Sequence, residues 1–169
     1  FVYTIKVCEL ITHIKRFDDT KILIEDFGYI ADLLGPQMGC FLFQLPPSFR
    51  YSMAALKRIV GQLEPNRKNV VEFRHASWWN EKVYKALRKN NICFCSISYP
   101  DLPDDVIRTS GTIYYRFHGV PNLYLSPYTE KKLRSVSDQI SSYRTVSQVF
   151  AYFNNDIDVH AIDNAKTLQ

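Results

Sequence analysis

Apolar and polar positions alternate between two kinds of segment along this chain. Short, almost continuously apolar runs cover residues 1–7, 39–45, 70–74, 92–98, 112–118 and 149–153, and each reads as a β-strand rich in β-branched or aromatic residues. Between them lie segments with helical spacing. Leu23, Phe27, Ile30 and Leu34 form one stripe, ended by Gly35-Pro36. Leu56, Ile59, Val60 and Leu63 form a second behind a capping Ser52, and Val83, Ala86 and Leu87 a third behind Ser77 or Asn80. Leu133, Val136 and Ile140 follow Thr129, and Ala161, Ala165 and Leu168 align in the tail. Strands without alternation are buried on both faces, so the order β-α-β-α-β-α-β-loop-β-α-β-α predicts a parallel sheet covered by helices.

Six such strands fit an open doubly wound sheet or the later part of a (β/α)8 barrel. The chain opens directly on a strand at Phe1. That start favours the barrel: an α/β, TIM-type fold lacking its first two strands, with residues 1–169 as one N-terminally incomplete barrel domain.

Five strands carry polar groups at or just beyond their C-terminal ends: Lys6, Gln44, Glu72 with Arg74 and His75, Arg116 with His118, and Asn154 with Asn155. Parallel strands bring such ends together, and that rim is where α/β folds place their chemistry. Side chains two apart share a face, which pairs Glu72 with Arg74 and Arg116 with His118. Arg74 and Arg116 offer planar donor forks for carboxylate or phosphate oxygens, and Lys6 adds a point charge. His118 is the general acid/base candidate by type, and Glu72 is either a base or the neutralising partner of the arginines. Gln44, Asn154 and Asn155 are candidates for positioning a substrate or stabilising an oxyanion. His13 follows Thr12 in a loop, where either residue is placed to bind ligand or cap backbone. His75 lies just past its strand, and Trp78 and Trp79 open a helix, one to pack and one to wall a pocket. Plain structural readings stand beside these: an ion pair plugging the sheet end, a core histidine, an Asn-Asn turn.

Composition narrows the function classes. The hydrophobic fraction is 46% and the charged fraction 22%, ordinary for a globular domain. A net charge of +4 permits an anionic partner without demanding one. No apolar run reaches the roughly 18–20 residues of a membrane span, and no signal peptide is evident. Of the four cysteines, Cys40, Cys93 and Cys95 sit inside apolar strands, which predicts buried reduced thiols and a cytoplasmic setting. Glu72, His75 and His118 match no zinc signature and neighbour three cationic side chains, so neither metal nor cofactor is expected. No Gly-rich phosphate loop or G-x-S-x-G elbow occurs, and Tyr51, Lys57, Arg58, Tyr114 and Tyr124 assemble into no nucleic-acid stripe.

Five segments resemble one family in order. Lys6-Val7 through Ile11-Thr12-His13 is similar to a K-x-P-x-x-I-T-H segment, and Phe43-Gln44-Leu45-Pro46-Pro47-Ser48-Phe49 to L-F-Q-L-P-P-S-F. Val71-Glu72-Phe73-Arg74-His75-Ala76-Ser77-Trp78 resembles E-F-R-H-x-S-W. Tyr115-Arg116-Phe117-His118-Gly119 and Tyr152-Phe153-Asn154-Asn155-Asp156 resemble Y-x-R-x-H-G and Y-F-N-N. Together they resemble the YecE-like family, domain of unknown function 72. The resemblance implies a TIM-type barrel entered at its third strand and carries over no established reaction. The fourth strand ends Ser96-Ile97-Ser98 where the family pattern has an aspartate, so no acid/base role transfers there. The sequence thus leads to an enzyme acting on a small anionic, phosphate- or carboxylate-bearing substrate: a metal-independent hydrolase, lyase or isomerase working by acid/base chemistry. The alternative is a non-catalytic binding protein for an anionic metabolite or nucleic acid.

Overall fold

The computed structural model describes residues 1–169. All six strands form one parallel sheet in strictly sequential order. They are β1 (Tyr3–Lys6), β2 (Met38–Gln44), β3 (Asn69–Glu72), β4 (Cys93–Ser98), β5 (Thr112–Phe117) and β6 (Gln148–Phe153). The helices between and after them are α1 (Lys21–Leu34), α2 (Met53–Gln62), α3 (Glu81–Lys89), α4 (Glu130–Ser141) and α5 (His160–Leu168). A five-residue π turn, Leu10–Ile14, follows β1. No helix is long and apolar enough to cross a membrane.

The expected TIM-type barrel is not what forms. A closed eight-stranded barrel requires its last strand to share a ladder with its first. Here β6 pairs only with β5, and β1 only with β2, so the sheet is an open, curled half-barrel of six strands. A doubly wound sheet is also excluded, because the strand order never reverses. The curl brings the edges within side-chain reach: the Tyr152 hydroxyl donates to Thr4 Oγ1 at 2.7 Å.

Strand alternation sorts the core into two faces. On the convex side Phe41, Phe43, Val71, Phe73 and Phe94 pack against Ile24, Leu56, Ile59, Val83 and Leu87 of α1, α2 and α3. Ile113, Tyr115 and Phe117 pack against Leu133 and Val136 of α4. The buried residues of the concave side all come from strands, namely Cys40, Leu42, Val70, Cys93, Cys95, Ile97, Tyr114 and Phe150, with Trp79, Tyr99 and Leu102 of the loops packed against them.

Local sequence explains the element ends. Ser52, Asn80 and Thr129 accept backbone N–H bonds from Ala55, Val83 and Lys132 and start α2, α3 and α4. Helix α1 buries Ile24 and Gly28 more deeply than the predicted stripe, whose Leu23 and Phe27 are half-buried. At Gly28 a side chain would meet the Arg67 guanidinium, whose Cζ lies 3.0 Å from the position of a Cβ. Arg67 uses that space to donate to the Gly28 carbonyl at 2.9 Å.

Candidate functional site

The polar residues at the C-terminal strand ends sort into one buried cluster and several separate places. Strand register sets Gln44 beside Glu72, and the next strands bring Arg116 to the same end. Glu72 is wholly buried and is the hub. Its Oε1 accepts from Arg74 Nε at 2.5 Å, and its Oε2 from Arg116 Nη1 at 2.6 Å. The same Arg116 nitrogen lies 3.5 Å from Gln44 Oε1. Arg74 lies two residues after Glu72, on the same face, and its guanidinium rests 4.3 Å from the centre of the Tyr99 ring.

His118 completes the cluster with 1% of its surface exposed. Its Nε2 is 3.1 Å from Arg74 Nη2 and 3.5 Å from Glu72 Oε1. Nε2 thus faces a donor on Arg74 and an acceptor on Glu72, the donor being the closer. A guanidinium nitrogen only donates, so the closer contact favours a lone pair on Nε2 and the imidazole proton on Nδ1. That Nδ1 is buried and has no partner.

Electrostatics follow from this packing. Burial alone would raise the Glu72 pKa; the contact with His118 and the charges of Arg116 and Arg74 outweigh it and hold the carboxyl at about 2. Burial lowers the His118 pKa, the two arginine charges push the same way, and Glu72 opposes them only in part. Cys95 Sγ lies 4.0 Å from Glu72 Oε2, and burial with that carboxylate keeps its thiol protonated. One carboxylate therefore meets two guanidiniums, a neutral imidazole and a neutral thiol.

The other sequence candidates lie elsewhere. Lys6 is on the concave face of β1, exposed, and makes no ion pair. His13 Nδ1 contacts Thr12 Oγ1 at 2.8 Å in the π turn. His75 Nδ1 accepts from the Ser77 backbone N–H and caps the short turn Ala76–Trp78. Trp78 is convex core, stacked on Phe73 and Phe49, its Nε1 donating to the Phe49 carbonyl at 2.7 Å. Trp79 instead touches both faces of the sheet. Asn154 donates its backbone N–H to the Phe117 carbonyl, and its buried Oδ1 is unpartnered. Asn155 Nδ2 donates to Asn164 Oδ1 at 2.9 Å and to the Ser126 carbonyl, tying the end of β6 to α5 and the loop after β5.

Two contributors escaped the sequence reading. Tyr99 shares a strand face with Cys95 and Ile97, and that spacing was its available signal. Asn164 interrupts the apolar stripe of α5 three residues after Ala161, the position of an inward polar group.

Comparison with known proteins agrees with the fold. A DUF72 family protein of Thermotoga maritima superposes with a TM-score of 0.90 at 26% identity, over 99% of this chain and 72% of that one. A DUF72 family protein of Enterococcus faecalis superposes with a TM-score of 0.83 at 18% identity, over 100% of this chain and 77% of that one. No curated protein matches the chain. The family model described as "Protein of unknown function DUF72" matches residues 1–169, and the chain belongs to that family.

Proposed function

We propose that the cluster at the C-terminal strand ends binds a small molecule bearing a carboxylate or phosphate group, and that the protein is an enzyme acting on that molecule. The observation that carries this reading is the charge count: Glu72 is the only carboxylate within ion-pair distance of both Arg74 and Arg116. With His118 neutral, the buried group retains one net positive charge. Each guanidinium has five N–H donors, and Glu72, Gln44 and His118 engage only some of them. A ligand oxyanion supplies both the missing charge and the missing acceptors.

The roles differ from simple acid/base work. A carboxylate held at about 2 and fastened by two arginines is a poor base at neutral pH; Glu72 acts as a clamp that pre-orients both forks. A neutral His118 presenting Nδ1–H polarises a substrate oxygen as a hydrogen-bond donor rather than removing a proton. The isolation of that donor favours this role over a core histidine. The buried free thiols support a reducing, cytoplasmic setting.

Calorimetric titration with a panel of small carboxylates and phosphate esters tests the reading. A ligand is expected to bind the wild type and to lose at least tenfold in affinity in Arg116→Gln and His118→Ala. Binding that is indifferent to both substitutions refutes it. Binding without turnover of any panel member favours a non-catalytic receptor.

A further inference from the structure

A second polar cleft lies at the opposite end of the sheet, where the turns into β4 and β5 meet the end of α3. It encloses about 240 Å³ and is lined by Arg88, Asn91, Arg108, Thr109, Ser110 and Gly111. No carboxylate and no apolar side chain lines it. Neither arginine takes part in any ion pair of the chain. Arg88, in the last turn of α3, is accounted for by the helix dipole. Arg108 is not. Its Nε is buried without a partner, and its Nη2 makes only a long contact, 3.4 Å, to the Thr145 carbonyl. A buried guanidinium N–H left unpaired is costly, so the site is built for an acceptor the protein itself does not provide.

The backbone points the same way. None of the N–H groups of Thr109, Ser110 and Gly111 donates to a protein acceptor. Yet the turn that carries them is fastened. Thr109 Oγ1 donates to the Ile92 carbonyl at 2.6 Å and accepts from the Phe94 N–H at 2.7 Å. Ser110 Oγ bonds both backbone groups of Thr112, and Ser147 donates from N and Oγ to the Gly111 carbonyl. Both hydroxyls and the Gly111 carbonyl are engaged while the three N–H donors are free, and free backbone N–H groups in a turn suit an anion. A narrow crevice sharing Asn91 and Ser110 adjoins the cleft and adds Lys68 to its wall.

We infer that this cleft binds the phosphate group of a small phosphorylated molecule, held by Arg108 and Arg88 and by the 109–111 backbone. Two planar forks suit a tetrahedral oxyanion, and the volume admits a phosphate with only a few further atoms. The site is independent of the Glu72 cluster and stands or falls without it.

The test is amide NMR of the full chain titrated with inorganic phosphate and with pyrophosphate, the ionic strength being matched by sodium chloride. Saturable shifts are expected at Thr109, Ser110 and Gly111. Affinity should fall at least tenfold in Arg108→Gln and stay within twofold in Arg116→Gln. Should Arg108→Gln not fold, Ser110→Asp sets a carboxylate into the cleft and should abolish the same shifts. Absence of saturable shifts at 109–111, shifts confined to the Glu72 end, or shifts that survive Ser110→Asp would each overturn the inference. So would binding only to polynucleotides with a steep salt dependence, since that marks diffuse surface charge instead of a cleft.

Discussion

Replacing Glu72 by glutamine removes the charge at the hub while keeping its shape. In the native protein each carboxylate oxygen holds one guanidinium, buried Arg74 at 2.5 Å and partly buried Arg116 at 2.6 Å. The amide offers one acceptor, and its NH2 group faces the other arginine donor against donor. Removing one side of a buried ion pair costs about 3–5 kcal/mol, because the remaining charge stays desolvated. Proton linkage gives an independent figure. A carboxyl held at about 2 against an ordinary 4.5 contributes about 3 kcal/mol at neutral pH. The sign follows from the lowered folded-state value: this stability is present above the unfolded-state pKa and is lost as pH falls toward 2. Urea unfolding of wild type and Glu72→Gln at fixed salt, from pH 8 to pH 2, measures both figures. The expected gap is at least 3 kcal/mol at pH 7, or roughly 6–12 °C in Tm for a chain of this size. Most of the gap should be gone by pH 3. A gap below about 1 kcal/mol at pH 7, or one that does not narrow on acidification, would refute the account of Glu72 as a charged clamp.

His118 should appear at pH 7 as the neutral Nδ1–H tautomer in side-chain 15N spectra; an Nε2–H or doubly protonated ring contradicts the geometry. Because its pKa is lowered, mainly by burial, its share of stability is present above the unfolded-state value near 6.5 and is lost as pH falls through the folded-state value. Burial pushes the thiols of Cys40 and Cys93 up to about 12, and Cys95 is raised as well, whereas Cys8 is exposed. Native labelling with a thiol reagent should therefore modify Cys8 alone, with the other three reacting only after unfolding; rapid modification of a second thiol would disprove the sealed concave core.

Much of the fold was legible because each strand and helix announces itself locally. The tail helix α5 spans 160–168 as its stripe required, and Ser52 caps α2 as its position required. The sheet's closure was not legible. A barrel and a curled open sheet impose the same apolar runs on β2 through β5, and only the partners of β1 and β6 differ, which no local pattern records. The site divides on the same principle. Gln44, Glu72, Arg74, Arg116 and His118 met because register and alternation dictate it. His75 and Asn155 look equivalent in sequence, yet each bonds to nearby loop or helix groups, as short polar side chains just past a strand readily do. Trp78 was drawn into the convex core by Phe49 and Phe73, a packing that depends on two separate loops.

The asymmetry of the cluster separates a structural plug from a binding site. If Glu72 were present only to neutralise a buried arginine, one guanidinium would suffice. Arg74 already donates through Nε and is further held by the Tyr99 ring and His118 Nε2. Arg116, with 13% of its side chain exposed, is the fork nearer solvent, and apart from Glu72 only Gln44, at 3.5 Å, holds it. Arg116→Met should leave a matched Glu72–Arg74 pair and cost no more than about 1.5 kcal/mol, well below the cost of losing the hub. The same substitution should abolish anion binding. Both quantities come from one sample, by urea unfolding and by titration with the ligand found for the wild type. If Arg116→Met destabilises as much as Glu72→Gln, the three side chains form one indivisible structural unit. The excess positive charge would then have no bearing on what the protein binds.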